Sequence, residues 1–209
     1  MTERKLIFYI DYLCPYAWRF AELALHAAKE LQYTLESRHF SLYQHNLGPD
    51  ELAAEWEIWN EPLDTSDEYG TKGLLPFLAG TAARRQGFEP FETYRLELQR
   101  ARHVRHLPFT IDTINNVAEH VGLDMITFAR DLRDPELRTE FAQDHLVAKR
   151  LNVAGTPTVQ FGDDHVAYVR LESIPLEHAA QVKYLSGLLE FMQEYPELAT
   201  LRRAKKPAN

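Results

Sequence analysis

The pattern of hydrophobic and polar positions near the N-terminus changes period at a cysteine and a proline. Residues 5–12 form an apolar run rich in aromatic and β-branched side chains, which is too short for a helix and predicts a buried strand. Apolar residues then recur at helical spacing as far as Leu31, and proline is favoured in a first helical turn, so a helix is predicted from about Cys14. Residues 33–42 alternate and predict a second strand. This strand–helix–strand order favours a parallel pair joined by a crossover.

Helical periodicity dominates the middle of the chain. Six amphipathic stretches are predicted to be helices, at residues 50–61, 68–86, 90–104, 110–121, 124–132 and 135–151. Strand character returns at residues 158–162 and 165–171, on either side of a predicted turn at Asp163-Asp164. A helical block of this size between strands indicates a subdomain inserted into a sheet domain.

A last helix is predicted from Pro175 to about Glu194. The resulting order of elements, β-α-β, a helical block and β-β-α, indicates the α/β class. We expect three units: a discontinuous sheet domain, an all-helical insertion domain and a C-terminal tail, at residues 1–45 with 150–195, 46–149 and 196–209 respectively.

Charge and composition narrow the classes of function. The 209 residues carry a formal net charge of -8, and an acidic surface repels phosphate backbones, so nucleic acid is not an expected partner. Four basic residues within 202–206 are expected to belong to a frayed, solvated tail. The sequence has neither the roughly 20 consecutive apolar residues that span a bilayer nor the features of a secretory signal, so no membrane association is expected. A soluble, cytoplasmic protein is expected.

The first candidate for chemistry is Cys14-Pro15-Tyr16-Ala17, where the first predicted strand meets the first predicted helix. Unpaired backbone N–H groups and the helix dipole at such a position stabilise a thiolate, which is the nucleophilic form of cysteine. The alternative is an inert buried cysteine, and a cysteine before a proline would favour that alternative on its own. Its place at a strand-to-helix junction makes the two interpretations comparable.

The second candidate is Gly155-Thr156-Pro157-Thr158, directly before the third predicted strand. A proline is tolerated at the start of a strand because no ladder N–H is needed there. An ordinary loop proline is the simpler alternative. The helix before this segment, the hairpin after it and the Cys-Pro helix start near the N-terminus together favour a functional interpretation.

In combination these segments resemble the DsbA-like branch of the thioredoxin superfamily, which also includes 2-hydroxychromene-2-carboxylate isomerases and kappa-class glutathione transferases. The similarity covers nearly the whole chain and consists of residues 10–18, the helical insertion and residues 148–158. It implies a thioredoxin-like fold with an all-helical insertion domain, a catalytic Cys14 and a cis peptide bond at Pro157. It also implies a binding site for the substrate or a thiol cofactor, formed by Pro15, Tyr16, Ala17, Thr156 and Pro157, in which the backbone of Thr156 pairs with the ligand.

Ala17 departs from the redox members of this family, which carry a second cysteine at that position. A dithiol enzyme resolves its mixed disulfide internally, whereas this chain has no other thiol. Three hypotheses therefore stay open. In the first, Cys14 exchanges with disulfides, and an external low-molecular-weight thiol such as glutathione resolves the mixed disulfide. In the second, the site holds a thiol cofactor for isomerisation or transfer. In the third, the site binds a peptide or small molecule without turnover. The first is favoured, because a cysteine at a thiolate-stabilising helix start suits thiol chemistry.

The favoured hypothesis implies a small-molecule thiol or disulfide as substrate, with protein disulfides as a further class, and no tightly bound cofactor. An exposed helical insertion could also support a homodimer. No metal site is expected, because His103 and His106 share a predicted helix face without a third ligand of recognisable spacing, and neighbouring arginines oppose a cation. A solvated basic face is the favoured interpretation of that segment.

His39 and His45 flank the end of the second predicted strand, where one of them could serve as an acid–base group near neutral pH. A surface or structural role is favoured for both. Trp56 and Trp59 are predicted to be core residues of the insertion. If the insertion covers the site, these two residues and Trp18 could form an apolar wall of a substrate pocket.

Overall fold

The computed structural model describes residues 4–63, 73–162 and 165–197. The strands are β1 (Arg4–Ile10), β2 (Tyr33–His39), β3 (Thr158–Phe161) and β4 (His165–Tyr168). The helices are α1 (Pro15–Glu30), α2 (Leu42–His45), α3 (Pro49–Ala53), α4 (Leu74–Arg84), α5 (Phe88–His103), α6 (Ile111–His120), α7 (Met125–Asp131), α8 (Glu136–Arg150) and α9 (His178–Glu194), with a 3-10 turn at Ile58–Asn60.

The four strands form one mixed sheet in the order β2-β1-β3-β4, with β1 parallel to β2 and antiparallel to β3. β1 suits this central place because its consecutive residues Phe8 and Tyr9 point to opposite faces and are both fully buried. Tyr9 pairs with Thr158, which is the first residue of β3. This register brings the residues that follow β1, including Cys14, next to the residues that precede β3, including Thr156.

α1 returns the chain from β1 to β2 and packs against both the sheet and α9. It begins at Pro15, whose missing N–H costs nothing in a first turn. Its buried face is rich in alanine, which allows close packing: Ala17, Phe20, Ala21, Leu23, Ala24, Ala27 and Ala28. Sheet and α9 thus hold α1 so that its N-terminus follows the carboxyl end of β1.

The described residues between β2 and β3 contribute helices and no strand. α4 lies at their centre, packed against α5 and α8, and every residue from Leu74 to Ala83 is buried. The Phe77 ring of α4 stacks on Phe141 of α8 with 4.5 Å between centroids. The same ring meets His39, the last residue of β2, edge-on at 5.4 Å. This aromatic contact joins the helices to the carboxyl end of the β1–β2 pair.

The predicted parallel pair at the N-terminus and most predicted helices are confirmed to within a few residues. The helix predicted over residues 50–61 is wrong in length, because α3 ends before Glu55, whose φ of 50° is not helical, and only a 3-10 turn follows. The last helix begins at His178, later than predicted. Pro175 precedes it, and the Pro175 carbonyl accepts a hydrogen bond from Gln181 Nε2 at 2.8 Å.

Three predictions fall outside the described residues. They are the first part of the helix predicted over residues 68–86, the turn at Asp163-Asp164 and the basic tail at residues 202–206. The single helical turn at α2 has no counterpart in the predictions, because four residues are too few to show a helical period.

Candidate active site

Cys14 is the N-terminal capping residue of α1, with an extended backbone at φ -87° and ψ 111°. Pro15 is the first residue of the helix, and the N–H groups of a first helical turn have no carbonyl partner within it. The side chain is in the core, and only 5% of the residue is exposed. The thiol therefore lies at the positive end of the α1 dipole with little access to solvent.

The thiol of Cys14 donates a hydrogen bond to the carbonyl oxygen of Thr156, with 3.2 Å between Sγ and the oxygen. The peptide bond between Thr156 and Pro157 is cis. Further bonds fix this segment: the Thr158 hydroxyl donates to the Gly155 carbonyl at 2.7 Å, and the Pro157 carbonyl accepts from a backbone N–H beyond β4 at 2.9 Å. The two candidate motifs, far apart in sequence, thus meet at one sulfur–oxygen contact.

Ala17 occupies the position three residues after Cys14, on the first turn of α1. Its side chain is fully buried in the main hydrophobic core. Cys14 is the only cysteine of the 209 residues. Any mixed disulfide formed at Cys14 can therefore be resolved only by a thiol of another molecule.

Tyr16 is half-buried, two residues after Cys14, and two guanidinium groups lie near its ring. The Cζ atom of Arg170 is 3.9 Å from the centroid of the Tyr16 ring, and Arg170 also donates a hydrogen bond to the Tyr16 hydroxyl. The Cζ atom of Arg19, one turn further along α1, is 5.3 Å from the same centroid. Arg19 Nη1 in turn donates to the Leu171 carbonyl at 3.3 Å, which ties α1 to the segment after β4.

Tyr168, at the end of β4, packs beside the segment that contains Thr156. A Cβ atom on Gly155 would be 3.1 Å from the Tyr168 ring, so the ring packs directly on the backbone before Thr156. Burial raises the pKa of Tyr168, a negative charge on Cys14 raises it further, and Arg170 lowers it. About half of Tyr168 is exposed.

Asp11 is a buried carboxyl directly after β1. One carboxylate oxygen accepts from the Leu13 N–H and the other from the Leu42 N–H, both at 2.8 Å. Burial raises the pKa of Asp11 to about 6, although the two N–H donors act in the opposite direction. Asp11 thereby holds together the loop that carries Cys14 and the start of α2, a role that the sequence analysis did not assign.

His103, the last residue of α5, is half-buried, so the expected solvated face is wrong for this residue. Its Nε2 is 2.9 Å from the Tyr12 carbonyl, and its ring stacks on Trp18 with 5.8 Å between centroids. Burial lowers the pKa of His103. The neutral imidazole can therefore donate to the loop before Cys14 from the helical part of the chain. Next to it, Arg100 pairs with Glu22 of α1 at 2.5 Å rather than standing free in solvent.

His39 has a structural place, as favoured from the sequence. It is fully buried, its Nε2 is 3.2 Å from the Tyr12 hydroxyl, and its Nδ1 is 3.3 Å from the Thr81 hydroxyl. Burial lowers its pKa well below the ordinary value. Trp59 is buried and packs edge-on against Phe141, as expected for a core residue.

The structure thus brings Cys14, Tyr16, Thr156 and Pro157 to one place and puts Ala17 in the core beneath it. Two absences hold for the residues that are described. No three side chains of His, Cys, Asp or Glu are grouped so that they could hold a metal ion. No helix in that part of the chain is long and apolar enough to cross a membrane.

Known proteins share the fold of this chain. A family model, the DSBA-like thioredoxin domain, matches residues 5–176, whereas no curated protein matches the chain. Among solved structures, a 2-hydroxychromene-2-carboxylate isomerase is similar at 16% identity and a TM-score of 0.63, over 94% of this chain and 100% of that one. The cytosolic disulfide reductase DsbM from Pseudomonas aeruginosa is similar at 17% identity and a TM-score of 0.58, over 90% of this chain and 99% of that one.

A structure of DsbM with GSH gives 17% identity and a TM-score of 0.56, over 89% of this chain and 99% of that one. At these identities the solved structures establish the fold. The family match covers most of the 209 residues and includes Cys14, Thr156 and Pro157. The chain belongs to the DSBA-like thioredoxin family and has its thioredoxin-like fold, as the resemblance in sequence implied.

Proposed function

We propose that this protein catalyses thiol–disulfide exchange through Cys14 as a single thiol, and that a low-molecular-weight thiol such as glutathione completes each turnover. The observation that carries the proposal is the place of Cys14: at the start of α1, 3.2 Å from the Thr156 carbonyl, and with buried Ala17 where a second cysteine would be. DsbM, which is described as a disulfide reductase and has a structure with GSH, supports a thiol of this type.

The reaction is an exchange in two steps. The Cys14 thiolate attacks one sulfur of a disulfide R–S–S–R′, a bond forms between Sγ and that sulfur, and R′–S⁻ leaves with the electron pair of the broken bond. A second thiolate, G–S⁻, then attacks the sulfur carried on Cys14. The Sγ–S bond breaks, R–S–S–G is released and the Cys14 thiolate is regenerated. The sum is R–S–S–R′ plus G–S⁻ giving R–S–S–G plus R′–S⁻.

Residues around the Cys14 sulfur have different roles in binding the substrate. In the resting form the Thr156 carbonyl accepts a hydrogen bond from the Cys14 thiol, and the thiol must lose its proton before Cys14 can attack. The backbone of Thr156 then pairs with the substrate beside the sulfur, and Pro157 shapes that backbone. Pro15 and Tyr16 border the site on the α1 side, and Ala17 closes it from below without offering a competing thiol.

A steady-state assay with a small mixed disulfide and glutathione tests this proposal. We expect turnover that requires the external thiol, a mixed disulfide on the protein detectable by mass spectrometry, and loss of both in Cys14→Ser. Ser186→Ala, an exposed change on α9, is the control for the effect of substitution itself. Turnover that survives Cys14→Ser would refute the exchange mechanism.

A second candidate is thiol-cofactor-dependent isomerisation or transfer, in which Cys14 positions the cofactor without bonding to it. Its specific support is that Cys14 is 5% exposed and its thiol acts as a hydrogen-bond donor. Serine can donate the same bond. Isomerase or transferase activity retained in Cys14→Ser, with no mixed disulfide in the wild type, would favour this candidate. Binding of glutathione without either activity would instead indicate a non-catalytic binding protein.

A further inference from the structure

Two arginines on different elements meet at Tyr16, two residues from Cys14. Arg19 belongs to α1 and Arg170 follows β4, and both guanidinium groups lie by the ring of Tyr16, at 5.3 Å and 3.9 Å from its centroid. An arginine stacked on an aromatic ring still presents N–H donors along its edge, in the forked geometry that suits a carboxylate. Arg19 and Arg170 are called the arginine pair below.

Two contacts connect the arginine pair to the residues around Cys14. Tyr16, which both guanidinium groups approach, is two residues from Cys14, and the ring of Tyr168, two residues before Arg170, packs on Gly155 next to Thr156. These contacts place Arg170 on the side of the site formed by β4 and the residues before β3. Arg19 occupies the side formed by α1.

Among the described residues, one carboxylate lies at ion-pair distance from the arginine pair. Glu172 is 3.1 Å from Arg170 Nε, but the Glu172 side chain is 66% exposed and that of Arg170 40%, and exposed ion pairs of this kind are weak. Within the described residues, Arg19 has no carboxylate at ion-pair distance.

We propose that the arginine pair binds a carboxylate of the substrate, so that Cys14 reacts preferentially with small disulfides and thiol reagents that carry an anionic group near the reacting atom. Neutral and cationic reagents of the same size lack this contact. The inference deepens the proposed thiol exchange by naming its substrate class. It requires only that Cys14 can react, so it can be tested without turnover.

The test compares alkylation of Cys14 by iodoacetate, which is anionic, and iodoacetamide, which is neutral and nearly the same size. Each alkyl group forms one bond to Sγ and releases iodide. The readout is the rate constant for iodoacetate divided by that for iodoacetamide, both measured by mass spectrometry on the full chain. In Arg19→Gln and in Arg170→Gln we expect this ratio to fall by about threefold to tenfold, as expected for loss of local steering charge. It should fall further in the double variant.

Salt and a distant control separate a local effect from a general one. Raising the ionic strength to about 1 M, where the screening length is about 3 Å, should lower the ratio in the wild type and have little effect in the double variant. Lys183→Gln removes the same charge beside Glu30 and Leu31 at the other end of α1, about 24 Å from Cys14, and should leave the ratio unchanged. Arg170→Lys keeps the charge but not the forked donors, so it should keep part of the preference. If Arg170→Gln fails to fold, the fall expected in Arg19→Gln alone still tests the inference.

An equal ratio in the wild type and the double variant would overturn the inference, as would an equal fall in Lys183→Gln. The outcome is independent of the proposed function. A ratio that depends on the two arginines, without glutathione-dependent turnover, would support carboxylate binding by the arginine pair and refute the exchange proposal. Turnover with a ratio insensitive to both arginines would do the reverse.

Discussion

Asp11 is expected to make the stability of the fold depend on pH in a defined window. Only 2% of this residue is exposed, and each carboxylate oxygen accepts one backbone N–H, from Leu13 or from Leu42. Burial disfavours the charged carboxylate more than these two donors favour it, so the pKa of Asp11 is raised from the ordinary 3.8 to about 6. The perturbation that isolates this effect is Asp11→Asn, which keeps the shape of the side chain and cannot ionise.

The sign follows from proton binding in the two states. In the unfolded chain Asp11 loses its proton near the ordinary pKa of 3.8, whereas in the folded protein it keeps the proton up to about pH 6. The contribution of neutral Asp11 to the free energy of unfolding is therefore fully present below pH 3.8 and is lost as the pH rises through about 6. A pKa difference of about two units corresponds to about 3 kcal/mol of unfolding free energy.

Urea unfolding of the wild type and Asp11→Asn across this window measures the effect. The free energy of unfolding of the wild type, minus that of the variant, should fall by about 3 kcal/mol between pH values well below and well above the window. Other titrating groups are common to both proteins and cancel in this difference. Asp50→Asn, at an exposed position in α3, gives the baseline for removing a carboxylate from the surface.

A difference that stays constant across the window, or that rises with pH, would refute the reasoning. Either result would mean that the N–H groups of Leu13 and Leu42 hold Asp11 as a carboxylate despite its burial. In that case the loop before Cys14 would be fixed by a charged group at every pH in the window.

Packing and buried charge give further predictions, each measured as the free energy of unfolding in urea. Gly80→Ala should destabilise the protein by about 1–3 kcal/mol, because the new Cβ would lie 2.0 Å from the hydroxyl oxygen of buried Tyr12. Gly187→Ala in α9 should instead stabilise the protein by up to about 1 kcal/mol, because beyond the adjacent residues and the local helix backbone no atom lies within 4 Å of the new Cβ. Effects of equal sign at the two glycines would contradict the argument. Arg95→Met should lower the free energy of unfolding by about 3–5 kcal/mol, because Arg95 is fully buried and its loss leaves Glu92, 2.7 Å away, without that partner. Adding Glu92→Gln to Arg95→Met should restore part of that free energy.

The sequence was informative where chemistry and local structure coincide. Pro15 at a helix start behind an apolar strand predicts both α1 and the position of Cys14, and a proline before a strand predicts the start of β3 near Pro157. Ala17 could be recognised as a departure because the position three residues after Cys14 is defined by sequence alone. Each of these inferences depends on neighbours in the chain.

Other parts of the site depend on contacts that no local pattern encodes. Arg170 reaches Tyr16 only because β3 lies between β1 and β4, and nothing in the sequence near either residue indicates this contact. His103 reaches the loop before Cys14 from the end of α5, and its burial could not be inferred from a segment rich in arginine. The role of Asp11 could have been predicted, because an acidic residue directly after a buried strand is itself buried and then needs backbone N–H donors to avoid a loss of stability.

The sheet order also constrains how the chain folds while it is being synthesised. β1 pairs on one side with β2, which is close in sequence, and on the other side with β3, which is made only after α2 to α8. Until then one edge of β1 stays open to pairing with other chains, and Cys14 is uncovered because Thr156 does not yet exist. The late insertion of β3 should be slow, since it joins residues as far apart as Leu6 and Phe161. A single cysteine is an advantage during this interval, because the unfinished chain cannot trap itself in an internal disulfide.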